Sequence, residues 1–599
     1  MKIHYFKTRP IDLPHLEEQA SAKLDPSNPT YNPFQIGGLQ QYNPIYSHFF
    51  EMTPSNFDLI SLNHTYHFQD MGHVVSMPDG KVCEKEVFIK FSPLLDPVRY
   101  MIGKYDVGDG SIRSLPRLGA GASVHPKIAD PNNASYVDCF FSYLTSSLLH
   151  KHGFVHGIDF YGSFLGIQRQ FRACVTDDLD YLRESDFFLN NVYRGPATSE
   201  ELESVVPIGG RMFYVVENQE KEEEYLGGSR RNRNRLCIET GDDDIVLDDV
   251  ENVCDLGLDV TDETNADTTC KTVYDTAATA ATTAATTAAT TAAASVSSSN
   301  NSQVNYSSSD ESESESVSDS ESESESDDKD WETDSELDTD SLDSCIDPDE
   351  IYGYIHNFPV QMICLEKCSG TLDELFVRRQ VDAQLAASAF FQVIMSLIVY
   401  QKAFHFTHND LHTNNIMYVE TDVEFLWYRY SGAVYKVPTY GKIFKLIDFG
   451  RGIYKYAGRS FCSDSFGVGG DAVTQYNIEP FLNPKKPRLE PNYSFDLCRL
   501  GCSIYDFIIQ DGDREETMDD FQRTIARWCT DDNGKNMLYK KSGEERYPNF
   551  KLYKMIARTV HAHLPEAQLA YPFFAQFLVD GATVATVATM DVDALPCYV

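Results

Sequence analysis

The chain contains 599 residues, of which 91 are acidic and 50 are basic, and its formal net charge at pH 7 is −41. Most of the excess acid lies between Asp242 and Glu350, where Lys271 and Lys329 are the only bases. Such a charge repels nucleic-acid phosphates, so we expect no nucleic-acid binding and a basic protein as the partner or substrate.

No segment of the sequence is expected to enter a membrane. Residues 1–7 lack the apolar core of a secretory signal. The longest apolar run, Leu385–Tyr400, is interrupted by Ser388, Gln392 and Ser396, so we expect a buried helix there. The 14 cysteines form no C-x-x-C pair, which disfavours a zinc site and is typical of reduced thiols. These features predict an intracellular protein, in the cytoplasm or the nucleus.

The first half of the chain divides into an extension and a folded region. Residues 1–56 are rich in Pro, Asn and Tyr and show no clean period, so we interpret them as an N-terminal extension. Residues 57–235 open with stretches of β-forming residues and then show helical spacing of apolar residues. The predicted elements are strands at 57–62, 73–77 and 86–91, a helix at 131–152 and a strand at 154–162.

Residues 236–350 form an acidic insert of low complexity. Thr276–Ala294 is almost pure Ala and Thr, and Ser307–Asp328 mostly alternates Ser with acidic residues. Neither stretch can bury enough apolar surface to offset its ordering entropy, so we predict disorder. An acidophilic kinase could phosphorylate the acid-flanked serines, but a passive linker is the favoured interpretation.

Regular structure is predicted again in residues 351–599. The expected elements are strands at 359–365 and 443–447 and helices at 371–376, 383–402 and 495–510. Between them lies the segment His408–Asn415, and Asp448–Gly450 follows the second strand. Phosphoryl transfer needs one carboxylate to orient the acceptor hydroxyl, and an amide oxygen with a second carboxylate to hold Mg²⁺. Asp410, Asn415 and Asp448 supply these groups.

The order of these motifs resembles that of eukaryotic protein kinases. Val87–Lys90 ends a predicted strand, and Asp496–Gly501 matches the Asp-x-x-x-x-Gly helix of that family. The resemblance covers about residues 57–170 and 351–575. It implies an α+β, bilobal protein-kinase-like fold, with a small β-rich N-terminal lobe, a larger α-helical C-terminal lobe and a long disordered acidic insert.

The resemblance also implies a role for each matching residue. Lys90 matches the lysine that grips the α- and β-phosphates of ATP, and Asp410 matches the catalytic Asp. Asn415 and Asp448 match the Mg²⁺ ligands. Asp496 matches the residue that braces the catalytic loop. The adenine-binding hinge falls on Glu366, Lys367 and Cys368.

Several residues depart from the family pattern in the phosphate-binding region. No G-x-G-x-x-G precedes Lys90, so fewer backbone N–H groups are expected near the phosphates. The helix predicted at 131–152 contains no Glu to pair with Lys90. Its one acid, Asp138, is interpreted as lying about a turn and a half out of register, which leaves the partner of Lys90 unassigned.

Other departures concern regulation and substrate. Asn409 replaces the Arg that usually binds an activation-loop phosphate, and the closing Ala-Pro-Glu is missing. His412 replaces a Lys; Asp-Leu-His occurs in haspin-like protein kinases and in kinases of aminoglycosides and choline. The hairpin predicted from Tyr418 to Gly441 also resembles haspin-like proteins.

The sequence therefore predicts an ATP- and Mg²⁺-dependent Ser/Thr protein kinase, similar to divergent kinases encoded by large DNA viruses. In a viral setting it would reside in the host cytoplasm or in the virion. Two alternatives stay open: a small-molecule kinase of the Asp-Leu-His type, and a catalytically silent pseudokinase scaffold.

Overall fold

The structure is a computed structural model that describes residues 3–6, 11–21, 31–118, 123–176, 178–193, 213–216, 351–509, 516–548, 550–579 and 589–599. These residues contain several sheets and helices, which confirms the predicted α+β class. They all belong to the unit formed by residues 1–241 and 345–599. The insert predicted at 236–350 lies outside the described residues.

A six-stranded sheet is built around the long strand Tyr352–Glu366. Along one edge this strand pairs antiparallel with Phe160–Cys174. Its other edge pairs antiparallel with Val87–Pro93 near its C-terminal end and with Phe213–Val216 near its N-terminal end. The long central strand is rich in β-branched, aromatic and other apolar residues and is buried over most of its length, as expected of a strand paired on both edges.

The described strands have the following bounds: Tyr5–Phe6, Ile36–Gln40, Ser61–Leu62, Tyr66–Asp70, His73–Ser76, Val82–Glu84, Val87–Pro93, Phe160–Cys174, Val192–Tyr193, Phe213–Val216, Tyr352–Glu366, Gly370–Thr371, Ile416–Glu420, Phe425–Tyr430, Ala433–Pro438, Lys442–Leu446, Ile453–Tyr456, Arg459–Cys462, Leu578–Val579 and Met590–Asp591. The described α-helices are Leu13–Ser21, Pro97–Met101, Pro126–Ala129, Ala134–His152, Leu179–Arg183, Asp186–Asn191, Leu372–Val377, Ala383–Phe404, Phe495–Ile508, Asp520–Trp528, Lys551–Thr559, Pro565–Gln568 and Pro572–Ala575.

Helix Ala134–His152 packs against the six-stranded sheet and has a defined start and end. The Asn133 side chain accepts a hydrogen bond from the Ser135 N–H, which caps the first turn. Gly153 ends the helix at φ +65°, a conformation that glycine adopts without steric cost. The helix predicted at 131–152 is therefore confirmed, with a start that differs by three residues. The two caps determine where it begins and ends.

Helix Ala383–Phe404 is the core helix of the second half of the chain. Asp382 caps its start by accepting hydrogen bonds from the N–H groups of Gln384 and Leu385. It is long and apolar enough to span a bilayer, but 89% of its most apolar window is buried inside the protein. The prediction of a buried helix is therefore confirmed. Helix Asp520–Trp528 packs on it, with the Trp528 ring 5.8 Å from that of Phe390.

Two sequence predictions about local structure are wrong, and a strand occurs where none was predicted. This strand is Ile36–Gln40, within the residues interpreted as an extension, and it pairs with Phe160–Cys174 in the large sheet. Two of the residues in this strand are glycine, which is depleted in strands, so the local composition does not indicate a strand there. Pairing with the neighbouring strand stabilises it. Residues 57–59 form a 3₁₀ turn rather than a strand. The strand predicted at 154–162 begins only at Phe160, because the chain first crosses from the helix to the sheet.

The hairpin predicted between Tyr418 and Gly441 is confirmed. Strands Phe425–Tyr430 and Ala433–Pro438 pair antiparallel and form the hairpin. Along the chain the hairpin is inserted between strands Ile416–Glu420 and Lys442–Leu446, which pair with each other. His156 joins the hairpin to the rest of the protein, since its Nε2 lies 2.7 Å from the Tyr428 hydroxyl and its Nδ1 lies 2.7 Å from the carbonyl oxygen of Phe444.

Candidate functional site

Lys90 lies in the middle of strand Val87–Pro93, opposite Ile363 of the central strand. Side chains alternate between the two faces of a strand, so Val87 and Ile89 are buried while Phe88 and Lys90 share the other face. The Lys90 side chain is 27% exposed, and that of Phe88 is 51% exposed. The strand therefore presents an ammonium group and an aromatic ring side by side.

Two carboxylates hold the Lys90 ammonium. Its Nζ lies 2.8 Å from Asp138 Oδ2 and 2.9 Å from Asp448 Oδ1. Burial acts to lower the pKa of Lys90, but Asp138 and Asp448 outweigh it and hold the pKa above its usual value. Burial likewise acts to raise the pKa of Asp448, but Lys90 holds it below its usual value. Lys90 and Asp448 are thus both charged at neutral pH.

Asp138 is the partner of Lys90 that the sequence left unassigned, and the interpretation that it is out of register is wrong. Besides pairing with Lys90, its Oδ1 accepts a hydrogen bond from the Phe449 N–H at 2.9 Å. The connection between residues 94 and 133 sets the position and rotation of the helix, and sequence spacing does not reveal either. One carboxylate therefore links helix Ala134–His152, Lys90 and the chain just after Asp448.

Asp448 has a left-handed backbone, with φ +60°. This conformation is strained for a residue other than Gly and persists only where the surroundings fix it. The Phe449 ring is fully buried, 4.7 Å from the ring of Phe141 and 5.8 Å from that of Phe406. Because Phe449 is anchored in this way, the Asp448 carboxylate stays 48% exposed at a fixed position.

The loop His408–Asn415 brings Asn415 next to Asp448. The Ile447 N–H donates to the carbonyl oxygen of Asn415 at 3.1 Å. The Asn415 Nδ2 donates to the carbonyl oxygen of Asp410 at 2.9 Å and lies 3.1 Å from His412 Nε2. Burial lowers the pKa of His412 to about 4, so its neutral ring accepts this hydrogen bond. Asn415 Oδ1 accepts no hydrogen bond within the described part of the chain and can serve as a metal ligand.

The Asp410 carboxylate is held from two sides. The Tyr553 hydroxyl donates to its Oδ1 at 2.6 Å, and Arg451 Nη1 lies 3.9 Å from its Oδ2. Burial acts to raise the pKa of Asp410, but Arg451 and other neighbours hold it well below its usual value. Arg499 donates to the Tyr553 hydroxyl in turn, at 3.0 Å. Asp410 is therefore an ionised, oriented acceptor of hydrogen bonds.

Sequence reasoning missed Tyr553, Arg451 and Arg499. Arg451 directly follows Asp448–Gly450, so its position next to this motif could have marked it as a candidate site residue. Tyr553 lies 143 residues after Asp410, and no local pattern marks it. Arg499 lies on the helix that begins near Asp496, where its burial was not expected for a charged residue.

Asp496 braces the loop, as predicted. Its carboxylate is fully buried and accepts hydrogen bonds from the N–H groups of His408 and Asn409, both at 2.9 Å. The Asn409 side chain adds further contacts. Its Nδ2 donates to the carbonyl oxygens of Thr407 and Arg451 and to Thr407 Oγ1, and its Oδ1 accepts from the Tyr476 hydroxyl. Asn409 thus fixes the loop through neutral contacts.

Replacing Asp496 with Ala is expected to lower the free energy of unfolding by about 2–6 kcal/mol, because two buried N–H groups lose their partner at about 1–3 kcal/mol each. Urea unfolding followed by circular dichroism measures the change. Asp506→Ala is the matched control, since Asp506 lies on the same helix but is exposed; its effect should stay below about 1 kcal/mol. An equal loss of unfolding free energy in the two variants would contradict the role of Asp496 in holding the loop.

The predicted hinge, Glu366–Cys368, begins at the end of the central strand. The Glu366 carboxylate pairs with the buried Lys445 and accepts a hydrogen bond from the Asp159 N–H at 2.8 Å. The Lys367 N–H donates to the carbonyl oxygen of Glu86. The Cys368 N–H donates to no group within the described residues. Glu366 therefore stabilises this segment through its side chain, and the backbone N–H of Cys368 is available for a ligand.

Strand register relates the hinge to Lys90. Glu366 pairs with Val87 and Ile363 with Lys90, so the hinge and the lysine are separated by three residues along paired strands. At about 3.3 Å per residue this is about 10 Å. Phe88, opposite Leu365, lies between them on the same face as Lys90.

A short hairpin, Tyr66–Asp70 and His73–Ser76, precedes the Lys90 strand. At its tip, Asp70 Oδ1 accepts a hydrogen bond from the Gly72 N–H at 2.9 Å and lies 2.9 Å from His73 Nδ1. The Gly72 N–H is therefore already hydrogen-bonded within the turn. The turn does not offer a glycine-rich set of free N–H groups to a phosphate.

No group of three or more His, Cys, Asp or Glu side chains suited to hold a metal ion occurs among the described residues. Asn415 Oδ1 and the ionised Asp448 carboxylate do fit a hard cation, because Mg²⁺ binds to one or two protein oxygens and completes its shell with water and phosphate. Comparison with protein-family models and with curated proteins finds no match for this chain.

Proposed function

We propose that this chain is an ATP- and Mg²⁺-dependent Ser/Thr protein kinase with a bilobal kinase-like fold. The observation that carries the proposal is the assembly of Lys90, Asp138 and Asp448 in one contact network beside Asp410 and Asn415. These residues come from four distant segments of the sequence. A fold that served only as a scaffold would not need an ionised Asp at both Asp410 and Asp448, the two positions that orient the acceptor and hold the metal in phosphoryl transfer.

In this proposal the six-stranded sheet forms the small lobe and the helices after Glu366 form the large lobe. Adenine would bind at Glu366–Cys368, with its edge hydrogen-bonded to backbone groups such as the Cys368 N–H. Phe88 would cover one face of the base, since its ring is exposed between the hinge and Lys90. Lys90, about 10 Å from the hinge, would contact the α- and β-phosphates.

Asn415 and Asp448 would hold Mg²⁺, which when bound neutralises charge on the phosphates. The acceptor hydroxyl would donate a hydrogen bond to Asp410 while its oxygen attacks the γ-phosphorus. The bond from the γ-phosphorus to the β–γ bridging oxygen breaks, ADP leaves, and the hydroxyl proton passes to Asp410 and then to solvent. The low pKa of Asp410 suits a group that orients the hydroxyl and takes its proton late.

Two observations favour a protein over a small molecule as the acceptor. Phe449 is buried against Phe141 and Phe406, and Asp496 braces the loop as the resemblance to protein kinases implies. His412, the residue that motivated the small-molecule alternative, hydrogen-bonds to Asn415. It therefore has a structural role within this chain that does not depend on the acceptor.

The test is the transfer of labelled phosphate from γ-labelled ATP with Mg²⁺. The full chain is incubated with casein, with histone, and with a panel of sugars, choline and aminoglycosides. The proposal predicts label on Ser and Thr of protein, and none with Asp410→Asn. Label in small molecules only would establish the small-molecule alternative, and no transfer to any acceptor would favour the silent scaffold.

A further inference from the structure

A basic surface lies on two segments near Asp410 in this otherwise acidic chain. We call it the basic face and define it as Lys485, Lys486, Lys551, Lys554 and Arg558. Four of these residues are exposed and Lys554 is half-buried. None of the five forms an ion pair with a carboxylate among the residues that the structure describes, so their charges are uncompensated.

Three of the cations lie on helix Lys551–Thr559. Lys551, Lys554 and Arg558 are three and four residues apart, which places them on one side of the helix. Leu552 and Ile556 are buried on the opposite side. The helix is therefore anchored by its apolar side and presents the cations to solvent.

The other two cations lie on a loop organised by Asn477. The Asn477 Nδ2 donates to the carbonyl oxygens of Asn483, Lys486 and Pro487, and its Oδ1 accepts from the Asn483 N–H at 2.8 Å. This loop presents Lys485 and Lys486. Arg488 is not part of the basic face, because Glu479 and Glu490 neutralise it.

The loop and the helix are in contact. Arg558 Nη2 donates to the carbonyl oxygen of Thr474 at 2.7 Å, just before the loop. Burial lowers the pKa of Lys554, and repulsion from Arg558, Lys551 and Lys486 lowers it further. Cations from both segments therefore lie close enough to repel one another.

Each segment is also tied to the loop that contains Asp410. The Tyr476 hydroxyl, next to Asn477, donates to Asn409 Oδ1 at 2.8 Å. The Tyr553 hydroxyl, next to Lys554, donates to Asp410 Oδ1 at 2.6 Å. Because Lys554 directly follows Tyr553, its Cα lies no more than about 15 Å from Asp410, a distance spanned by about four extended residues.

Building on the proposed kinase function, we propose that the basic face selects acidic protein substrates, in which Asp or Glu lies three or four residues from the accepting Ser or Thr. The net charge of the chain had predicted a basic partner, but net charge averages over the whole surface. The unpaired charge on the two segments that contact the Asp410 loop has the opposite sign, and local charge governs recognition within a Debye length of about 10 Å.

The test compares two peptides of equal length with the full chain, γ-labelled ATP and Mg²⁺. One has a serine with Glu at three and four residues on both sides, and the other has Gln in those places. We expect kcat/KM to be about tenfold higher for the acidic peptide, a difference of about 1.4 kcal/mol, expressed mainly in KM and reduced by added salt. The variant Lys486→Glu with Lys551→Glu should lose this preference.

A second double variant, Lys455→Glu with Arg459→Glu, is the control. It makes the same change in charge at two exposed residues of the hairpin Ile453–Cys462, and it should keep the preference. Two results would refute the role of the basic face in substrate selection and leave the proposed kinase function in place. One is equal use of both peptides by the unaltered protein. The other is a preference for the acidic peptide that survives Lys486→Glu with Lys551→Glu. Absence of label in either peptide and in casein would overturn the proposed kinase function, and with it this inference.

Discussion

Replacing Asp410 with Asn is expected to lower kcat for phosphoryl transfer by about 10²–10⁴-fold, the usual contribution of a positioned general base. Asn has nearly the same size and can keep the hydrogen bond with Tyr553, but it cannot take the proton of the acceptor hydroxyl. ATP binding does not require Asp410 in the proposed site, so KM for ATP should change by less than about threefold. Initial rates at varied ATP and fixed protein acceptor give both values.

Tyr553→Phe is the companion variant for Asp410. It keeps the carboxylate and removes only the hydrogen bond to Oδ1, so kcat should fall by about tenfold or less, the value of about one hydrogen bond. The acidic limb of the pH profile should also move upward, because the hydroxyl helps to hold the pKa of Asp410 low. Full activity of Asp410→Asn, or a larger loss in Tyr553→Phe, would remove Asp410 from the proposed catalytic role.

Replacing Asp138 with Asn is expected to lower kcat/KM for ATP by about 10²-fold. The change leaves the Lys90 ammonium with one carboxylate instead of two and weakens the link to the Phe449 N–H. Breaking a buried pair by removing one charge costs about 3–5 kcal/mol, and part of that cost should appear as misplacement of Lys90. Steady-state kinetics at varied ATP measures the effect.

Asp464→Asn provides the control for Asp138. Asp464 pairs with Lys127 at 2.5 Å and accepts from the Ala134 N–H, at the start of the same helix. It makes no contact with Lys90 among the described residues. Both variants should lower the melting temperature, but only Asp138→Asn should raise KM for ATP strongly. Equal effects on KM would show that the loss comes from a loosened helix and not from Lys90.

The parts of the site that sequence predicted are those that depend on local order. Asp410 and Asn415 share one short loop, and Asp448 lies two residues after the strand Lys442–Leu446. The long helix Ala383–Phe404 is marked by its apolar length and by the Asp382 cap. In each case a few neighbouring residues determine the geometry, so a single sequence is sufficient to predict it.

The parts that sequence missed depend on how distant segments meet. Asp138 contacts Lys90 because the chain between the strand and the helix sets the rotation of the helix, and no periodicity encodes that rotation. Tyr553 contacts Asp410 across 143 residues. Strand Ile36–Gln40 contains two glycines and is stabilised by the edge of the large sheet. These features depend on tertiary packing, and the local sequence preference for them is weak.

The most direct test of the account is the thermal stability of the protein with ATP, with and without Mg²⁺. If Lys90, Asn415 and Asp448 form a metal–nucleotide site, ATP with Mg²⁺ at 100 times its dissociation constant should stabilise the fold by about 2.7 kcal/mol, and the melting temperature should rise accordingly. ATP without Mg²⁺ should give a smaller rise, and Asp448→Asn should lose the metal-dependent part. An unchanged melting temperature, or an equal rise in Asp448→Asn, would contradict the proposed site.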